Sequence, residues 1–177
     1  MKTHLSPAEI KRHIRDVPDF PKPGVLFRDI TPLLADEKVY ADVVSQIGEH
    51  AKKLKADVVV GIESRGFLFG APAAIALELP FVPVRKPGKL PGERMSLEYQ
   101  LEYGKSQLDI HRDALKPGQR AVVVDDLLAT GGTASAAAKL IELVGGAVAG
   151  LLFVVELKTF GGRDALKNYP VESLISY

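Results

Sequence analysis

Apolar residues along the chain follow two patterns that alternate with each other. Some runs are continuously apolar and rich in β-branched residues, which is typical of strands buried on both faces of a parallel sheet. Other segments repeat apolar residues every three or four positions, as on one face of a helix. The predicted strands are 57–62, 81–86, 121–124, 147–157 and 171–177, and the predicted helices are 36–54, 66–79 and 133–144, with a short helical piece near 161–167. This alternation predicts an α/β fold with a mainly parallel sheet.

The first residues of the chain carry the signals of a short amphipathic helix. Ser6 and Glu9 have the spacing of a capping box, and a proline occupies the first helical position between them. Ile10, Ile14 and Val17 follow at helical spacing and predict one apolar face. The next stretch has three prolines within six residues, which predicts an extended loop that continues into the sequence VLFRDI.

A glycine- and proline-rich segment interrupts the alternation of strands and helices after residue 86. The sequence KPGKLPGE contains two Pro-Gly pairs among charged residues, so regular structure is not expected there. The residues that follow, 95–115, predict two strands that turn back on each other around Gly104. This excursion is typical of a mobile flap over a binding site.

Composition limits the classes of protein to which the chain can belong. Its 177 residues are 46% apolar and have no linker-like stretch, so we expect a single domain over 1–177. The balance of 23 basic and 22 acidic residues gives no general attraction to nucleic acid or membrane. No cysteine is present, and no apolar stretch suggests a signal peptide or a membrane span, so we expect a soluble cytoplasmic protein.

The sequence VVVDDLLATGGTA, residues 122–134, combines the parts of a sugar-phosphate site. Glycines between threonines, at the start of a predicted helix, predict a backbone cradle for a phosphate over 129–133. Asp125 and Asp126 stand at the predicted end of the preceding strand, where ligands of parallel sheets bind. Carboxylates there either accept hydrogen bonds from vicinal sugar hydroxyls or hold a hydrated Mg²⁺. The combination predicts a site for a ribose phosphate.

This stretch resembles the 5-phosphoribosyl pyrophosphate (PRPP) signature of the type I phosphoribosyltransferases, in the form found in adenine phosphoribosyltransferases. Three further stretches are similar to the adenine enzymes: FPKPGVLFRDIT from Phe20, ESRGFLFG from Glu63, and VRKPGKLPGE from Val84 with LEYG from Leu101. The resemblance implies a twisted sheet, a small N-terminal hood over about 1–35 and a flexible flap over about 87–110. It also implies a cytoplasmic homodimer that converts adenine and PRPP to AMP and pyrophosphate, with Mg²⁺ carried by the PRPP and not bound directly by the protein.

The donor side of the site follows from the same resemblance. It implies that Asp125 and Asp126 bind the ribose and balance its developing charge. The phosphate loop is expected to be Ala129, Thr130, Gly131, Gly132 and Thr133. Pyrophosphate is expected at Glu63, Ser64 and Arg65, where a cis peptide between the first two is implied, and at Lys86 and Lys89, with Arg85 reaching a neighbouring subunit's site. On its chemistry alone, Arg65 at a helix start suits phosphate oxygens.

The base side is predicted in the N-terminal segment and the flap. Phe27 by itself is typical of a core position, but the resemblance favours a stacking platform for a purine. The Leu26 carbonyl and the Arg28 N–H can match the N6 donor and N1 acceptor of adenine. Glu102 is expected at the N7 edge of the base as acid or hydrogen-bond partner, and Tyr103 is expected to pack over the closed site.

Two other functions stay open at this point. A transferase for hypoxanthine, guanine or xanthine needs the opposite hydrogen-bonding pattern at the base edge, and a regulator could use the PRPP pocket as a sensor. The chain contains neither a G-x-x-x-x-G-K-[ST] phosphate loop nor a G-x-G-x-x-G motif after a strand. Its four histidines are scattered without the spacing of metal ligands.

Overall fold

The structure is a computed structural model that describes residues 4–101 and 104–177. In chain order its helices and strands are α1 (Pro7–Lys11), β1 (Arg15–Pro18), β2 (Leu26–Asp29), α2 (Thr31–Ala35), α3 (Glu37–Lys53), β3 (Val58–Ile62), α4 (Arg65–Ala76), β4 (Phe81–Val84), β5 (Arg94–Leu101), β6 (Gly104–His111), β7 (Arg120–Leu128), α5 (Gly132–Leu143), β8 (Ala147–Glu156) and β9 (Val171–Ser176). Two short 3₁₀ helices, Lys158–Phe160 and Asp164–Leu166, lie between the last two strands.

Five parallel strands form the central sheet, in the order β4-β3-β7-β8-β9. Every residue of β3 is buried, as its continuous apolar run predicts. Val59 faces the core formed with α3 and α4, whereas Val58 and Val60 face the core formed with α5. This alternation places helices on both faces of the sheet and confirms the predicted α/β fold.

The N-terminal segment differs from its prediction. The first helix ends at Lys11, and Val17 lies in β1, which pairs antiparallel with β2. Ile10 and Ile14 are buried as expected, but Val17 does not continue their helical face. The partner of β1 lies about ten residues further along the chain, beyond a proline-rich turn, so local spacing did not reveal the pairing. The predicted extended loop is therefore shorter, and a two-stranded sheet flanks it.

The excursion after β4 is an antiparallel hairpin of β5 and β6. Its ladder runs from the pair Arg94 and His111 to the pair Leu101 and Gly104, which confirms the two predicted strands. Met95, Leu97 and Tyr99 alternate along β5 and pack on the core that includes α5. The hairpin therefore rests on the helix that follows the predicted phosphate loop.

Candidate active site

Strand β7 carries the aspartate pair to the edge of the sheet where the parallel strands end. The strand continues through Asp125 and Asp126 to Leu128, so the expected strand end before the aspartates is wrong. The apolar pattern stops at Val124, but β8 supplies pairing partners as far as Glu156. Tertiary pairing therefore extends the strand by four residues and holds both carboxyl groups on a rigid element.

Burial and mutual repulsion shape the two carboxyl groups. Asp126 is only 4% exposed, and its Oδ2 lies 2.8 Å from the Arg65 Nε. Burial, and after it the charge of Asp126, raises the pKa of Asp125 well above its ordinary value. Burial also raises the pKa of Asp126, against the opposing effect of Arg65. Two full negative charges are therefore costly here, and an arriving positive charge is favoured.

The phosphate loop opens at the start of α5. Gly131 has φ +81° and precedes the helix as its N-cap without any side-chain cap bond. The first backbone N–H groups of α5 have no partner within the helix and meet a bound anion there. They lie at a cleft of about 270 Å³ that is lined by Arg65, Asp125, Asp126 and residues 127–134. All five predicted phosphate-loop residues and both aspartates thus border one cleft.

Gly162 packs closely against this loop, and the sequence patterns did not predict the contact. A methyl group on Gly131 would lie 2.4 Å from the Gly162 carbonyl oxygen, and one on Gly162 would lie 2.2 Å from the Ala129 carbonyl oxygen. Residues 161–163 form what we call the Gly162 segment. Arg163 holds this segment in place by donating two 2.8 Å hydrogen bonds to the Glu156 carboxylate, which is 5% exposed. The sequence GGR, shortly after a buried strand, was the available signal.

The predicted pyrophosphate loop lies beside the phosphate loop, because β3 and β7 are neighbours in the sheet. The peptide between Glu63 and Ser64 is cis, as the resemblance implies, and α4 begins directly afterwards at Arg65. A methyl group on Gly66 would lie 2.5 Å from the Val124 carbonyl oxygen. Glycine at this position therefore allows α4 to begin in contact with β7, so the Arg65 side chain reaches the aspartates.

The basic segment after β4 is organised by Glu63. The Glu63 Oε2 accepts hydrogen bonds from the Arg85 Nε and from the Lys86 backbone N–H, both at 2.9 Å. The Arg85 hydrogen bond lowers the pKa of Glu63, so its carboxylate stays ionised. Lys86 and Lys89 are exposed beside it. In this structure the Arg85 guanidinium thus contacts its own chain, and the Glu63 carboxylate holds the basic segment near Arg65.

The base-binding residues lie on the hairpin of β1 and β2. Phe27 contacts the Phe20 ring edge to face and lies 5.6 Å from the guanidinium of Arg65, a residue that lines the cleft. Pro18 pairs with Leu26 but has no N–H, so this pair cannot exchange two hydrogen bonds. Hydrogen-bonded and non-bonded pairs alternate along an antiparallel ladder, so the pairs that contain Leu26 and Arg28 are both non-bonded. The backbone groups of these two residues therefore point away from β1. Among the described residues neither the Leu26 carbonyl nor the Arg28 N–H has a partner outside the hairpin.

The Arg28 side chain is engaged elsewhere. Its guanidinium donates to the Asp16 carboxylate and lies 3.7 Å from the centre of the Tyr177 ring. The backbone of Arg28 is thus the part of this residue that is left for a base, and its contact with adenine stays a prediction. Glu102 and Tyr103, the remaining predicted site residues, lie outside the described residues and stay predictions.

Within residues 4–101 and 104–177, no group of three or more His, Asp or Glu side chains could hold a metal ion. No helix in the same ranges is long and apolar enough to cross a membrane.

Comparison with known proteins agrees with this geometry. The family model of the phosphoribosyl transferase domain matches residues 29–172. An adenine phosphoribosyltransferase from a Synechococcus strain is 57% identical, covering 96% of this chain and 99% of its own. The structure of the adenine phosphoribosyltransferase from Thermoanaerobacter pseudethanolicus aligns with a TM-score of 0.94 at 51% identity, over 97% of this chain and 100% of that one. The Saccharomyces cerevisiae enzyme, solved with an imino-altritol bisphosphate and adenine, aligns with a TM-score of 0.90 at 40% identity, over 94% and 97%. The chain belongs to the adenine phosphoribosyltransferase family.

Proposed function

We propose that this protein transfers the 5-phosphoribosyl group of PRPP to N9 of adenine, giving AMP and pyrophosphate in purine salvage. The observation that carries the proposal is the meeting of four parts at one edge of the sheet. The phosphate loop and the aspartate pair come from β7 and its following helix, Arg65 comes from the neighbouring βα unit, and Phe27 comes from the N-terminal hairpin. Both substrates therefore find partners around the same cleft.

The chemistry assigned to these residues is positioning and charge stabilisation. The bond between the anomeric carbon and the diphosphate oxygen breaks as the bond to N9 forms, and adenine gives up its N9 proton. The ribose becomes positively charged on the way, and Asp125 and Asp126 lie where a positive charge is favoured. The Arg65 side chain is 40% exposed beside Asp126, so some of its guanidinium N–H groups can donate to the departing pyrophosphate. Lys86 and Lys89 add positive charge on the same side.

Adenine is the proposed base because of the backbone of β2. The Leu26 carbonyl accepts from the N6 amino group while the Arg28 N–H donates to N1, and both groups point away from β1. A 6-oxopurine presents an acceptor where adenine presents a donor, so this edge disfavours hypoxanthine. The adenine bound in the yeast relative supports the same choice. In the full site, Glu102 meets the N7 edge and Tyr103 covers the base once the flap, about 87–110, has closed and excluded water.

Mg²⁺ enters this proposal together with PRPP. Asp126 is paired with Arg65, which leaves Asp125 as the single nearby carboxylate without an ion pair among the described residues. The described residues thus offer no set of protein ligands for the ion, which suits Mg²⁺ that keeps its waters and takes its other ligands from a diphosphate. The ion would neutralise the diphosphate charge, and Asp125 and Asp126 would keep their contacts with the ribose.

The proposed assembly is a homodimer in the cytoplasm. Strand β4 is an edge of the sheet, and α4 beside it exposes Leu68 by 39% and Ile75 by 79%. Such an apolar face next to a sheet edge suits a second copy of the chain. Arg85 follows β4 directly, so it stands at this face and is our candidate for a contact in the partner's site. The lack of cysteine fits a reducing compartment.

Pyrophosphate release tests the reaction directly. The protein is mixed with PRPP, Mg²⁺ and either adenine, hypoxanthine or no base, and both pyrophosphate and nucleotide are measured. We expect release that depends on adenine and yields AMP in equal amount. Equal use of hypoxanthine would refute the roles of Leu26 and Arg28, and absence of release with any base would favour a PRPP sensor instead.

Complementation tests the contact in trans. An Arg85→Ala subunit is mixed with a subunit carrying Asp125→Asn and Asp126→Asn, and the dimers are allowed to exchange. Half of the dimers are then mixed, and each has one complete site, so we expect about a quarter of wild-type activity. Activity no higher than the sum of the two separate variants would eliminate the contact.

A further inference from the structure

A tyrosine hydroxyl reaches the phosphate loop from the hairpin of β5 and β6. The Tyr99 hydroxyl lies 3.1 Å from the Thr133 Oγ1. Tyr99 belongs to β5 and Thr133 to the first turn of α5, so this bond joins two elements that are 34 positions apart in the sequence. The Tyr99 ring is partly buried, with Met95 and Leu97, against the core that includes α5. The hydroxyl is therefore held at the loop by the packing of its own ring.

The chemistry of a phosphate decides which of the two hydroxyls donates. A bound phosphate ester offers oxygens that accept hydrogen bonds. Thr133 lines the cleft, so its O–H is placed to donate to a phosphate when the loop is occupied. The Thr133 oxygen then has only lone pairs left to offer. The Tyr99 O–H is the donor that fits this position, and its hydrogen bond polarises the Thr133 hydroxyl toward the phosphate.

We propose that Tyr99 is a positioning residue for the 5′-phosphate, which orients the Thr133 hydroxyl as a donor and ties the flap hairpin to the occupied phosphate loop. The inference rests on the proposed function, since it takes the loop to be the seat of the 5′-phosphate. It also gives the hairpin a role on the donor side of the site, in addition to covering the base. A phosphate in the loop strengthens the contact that docks the hairpin, and a docked hairpin strengthens phosphate binding by the same factor.

Binding of ribose 5-phosphate to a Tyr99→Phe variant tests the proposal. Phenylalanine keeps the packing of the ring and removes only the hydroxyl. One neutral hydrogen bond corresponds to an affinity loss of about three- to tenfold, which titration calorimetry resolves. Tyr169→Phe is the matched control, because it removes a tyrosine hydroxyl bonded to Glu142 at 3.0 Å, away from the phosphate loop. We expect the control to bind ribose 5-phosphate like the wild type.

Kinetics and a double-mutant cycle show whether the Tyr99 hydroxyl acts through Thr133 or independently of it. We expect the KM for PRPP to rise in Tyr99→Phe by the same three- to tenfold, about the value of one hydrogen bond, while the KM for adenine stays unchanged. In a Thr133→Val background the hydroxyl to be oriented is gone, so Tyr99→Phe should cause no further loss. Thr133→Ser keeps a hydroxyl and should keep the effect of Tyr99→Phe. Thermal unfolding confirms that each variant is folded.

Three results would overturn the proposal, and they differ from one another. If the wild type binds ribose 5-phosphate and Tyr99→Phe binds it equally well, Tyr99 has no positioning role, and the proposed function is untouched. If the loss in Tyr99→Phe persists in the Thr133→Val background, the Tyr99 hydroxyl acts independently of Thr133, and the proposed orientation of Thr133 is wrong. If the wild type itself does not bind ribose 5-phosphate, the phosphate seat and the proposed function fall together with it.

Discussion

Replacement of Gly162 by alanine offers a sharp test of how the phosphate loop is supported. The added methyl group would lie 2.2 Å from the Ala129 carbonyl oxygen and 2.8 Å from the Leu128 Cδ1. A carbon and an oxygen need roughly 1 Å more than the first of these distances, and the obstacle is backbone that cannot rotate aside. The methyl therefore displaces Ala129, the first residue of the phosphate loop, by about 1 Å. Overpacking of this kind costs about 1–3 kcal/mol of stability.

The effect on catalysis should exceed the effect on folding. A shift of about 1 Å in a positioning element can lower the rate by about 100-fold. We expect Gly162→Ala to raise the KM for PRPP and lower kcat/KM for PRPP by about 10- to 100-fold, with a smaller change in the KM for adenine. Initial rates at saturating adenine over a range of PRPP concentrations measure this, and urea unfolding measures the stability.

Gly48→Ala is the matched control for this substitution. The same methyl group at Gly48, inside α3, would meet its nearest neighbour, the Leu77 side chain, at 3.8 Å, an ordinary contact. Because alanine favours a helix over glycine by about 0.5–1 kcal/mol, the control should be neutral or more stable and fully active. A Gly162→Ala protein with wild-type kinetics toward PRPP would refute the idea that the Gly162 segment sets the position of the loop.

Two further predictions concern ion pairs that hold the molecule together. Glu156→Gln should lower the free energy of unfolding by about 1–3 kcal/mol in urea titrations, because it weakens the charge-assisted bonds that Arg163 makes to a nearly buried carboxylate; unchanged stability would contradict this. Hydrogen bonds with Glu49 and, after it, Asp42 raise the pKa of His4 above its ordinary value of 6.5. The stability that His4 contributes is therefore complete below pH 6.5 and is lost as the pH rises through the pKa of the folded state. The difference in Tm between wild type and His4→Gln should therefore shrink from about pH 6 to pH 9, and a constant difference would argue against it.

Local chemistry explains why much of the site was predictable from sequence. A phosphate is bound by backbone N–H groups at a helix start, and a ribose by nearby carboxylates. The sequence DDLLATGGT contains residues for both contacts within nine positions, so it predicts both. Arg65 could be placed for the same reason, since strand, short loop and helix follow one another along the chain. The base hairpin is different: Phe27 was identified through family resemblance, because an isolated phenylalanine does not distinguish a stacking platform from a core residue.

The sequence by itself determined the helices and strands of the central sheet layer, the α/β class and the phosphate and ribose chemistry, because strand burial, helical spacing and turn residues act over a few neighbouring positions. Tertiary structure decided everything that depends on distant partners. Pairing with β8 extends β7 beyond the two aspartates. The Gly162 segment packs against the phosphate loop, and the Tyr99 hydroxyl contacts Thr133, 34 positions away in the sequence. Each of these contacts joins residues whose separation along the chain carries no periodic signal, so only the folded packing brings them together.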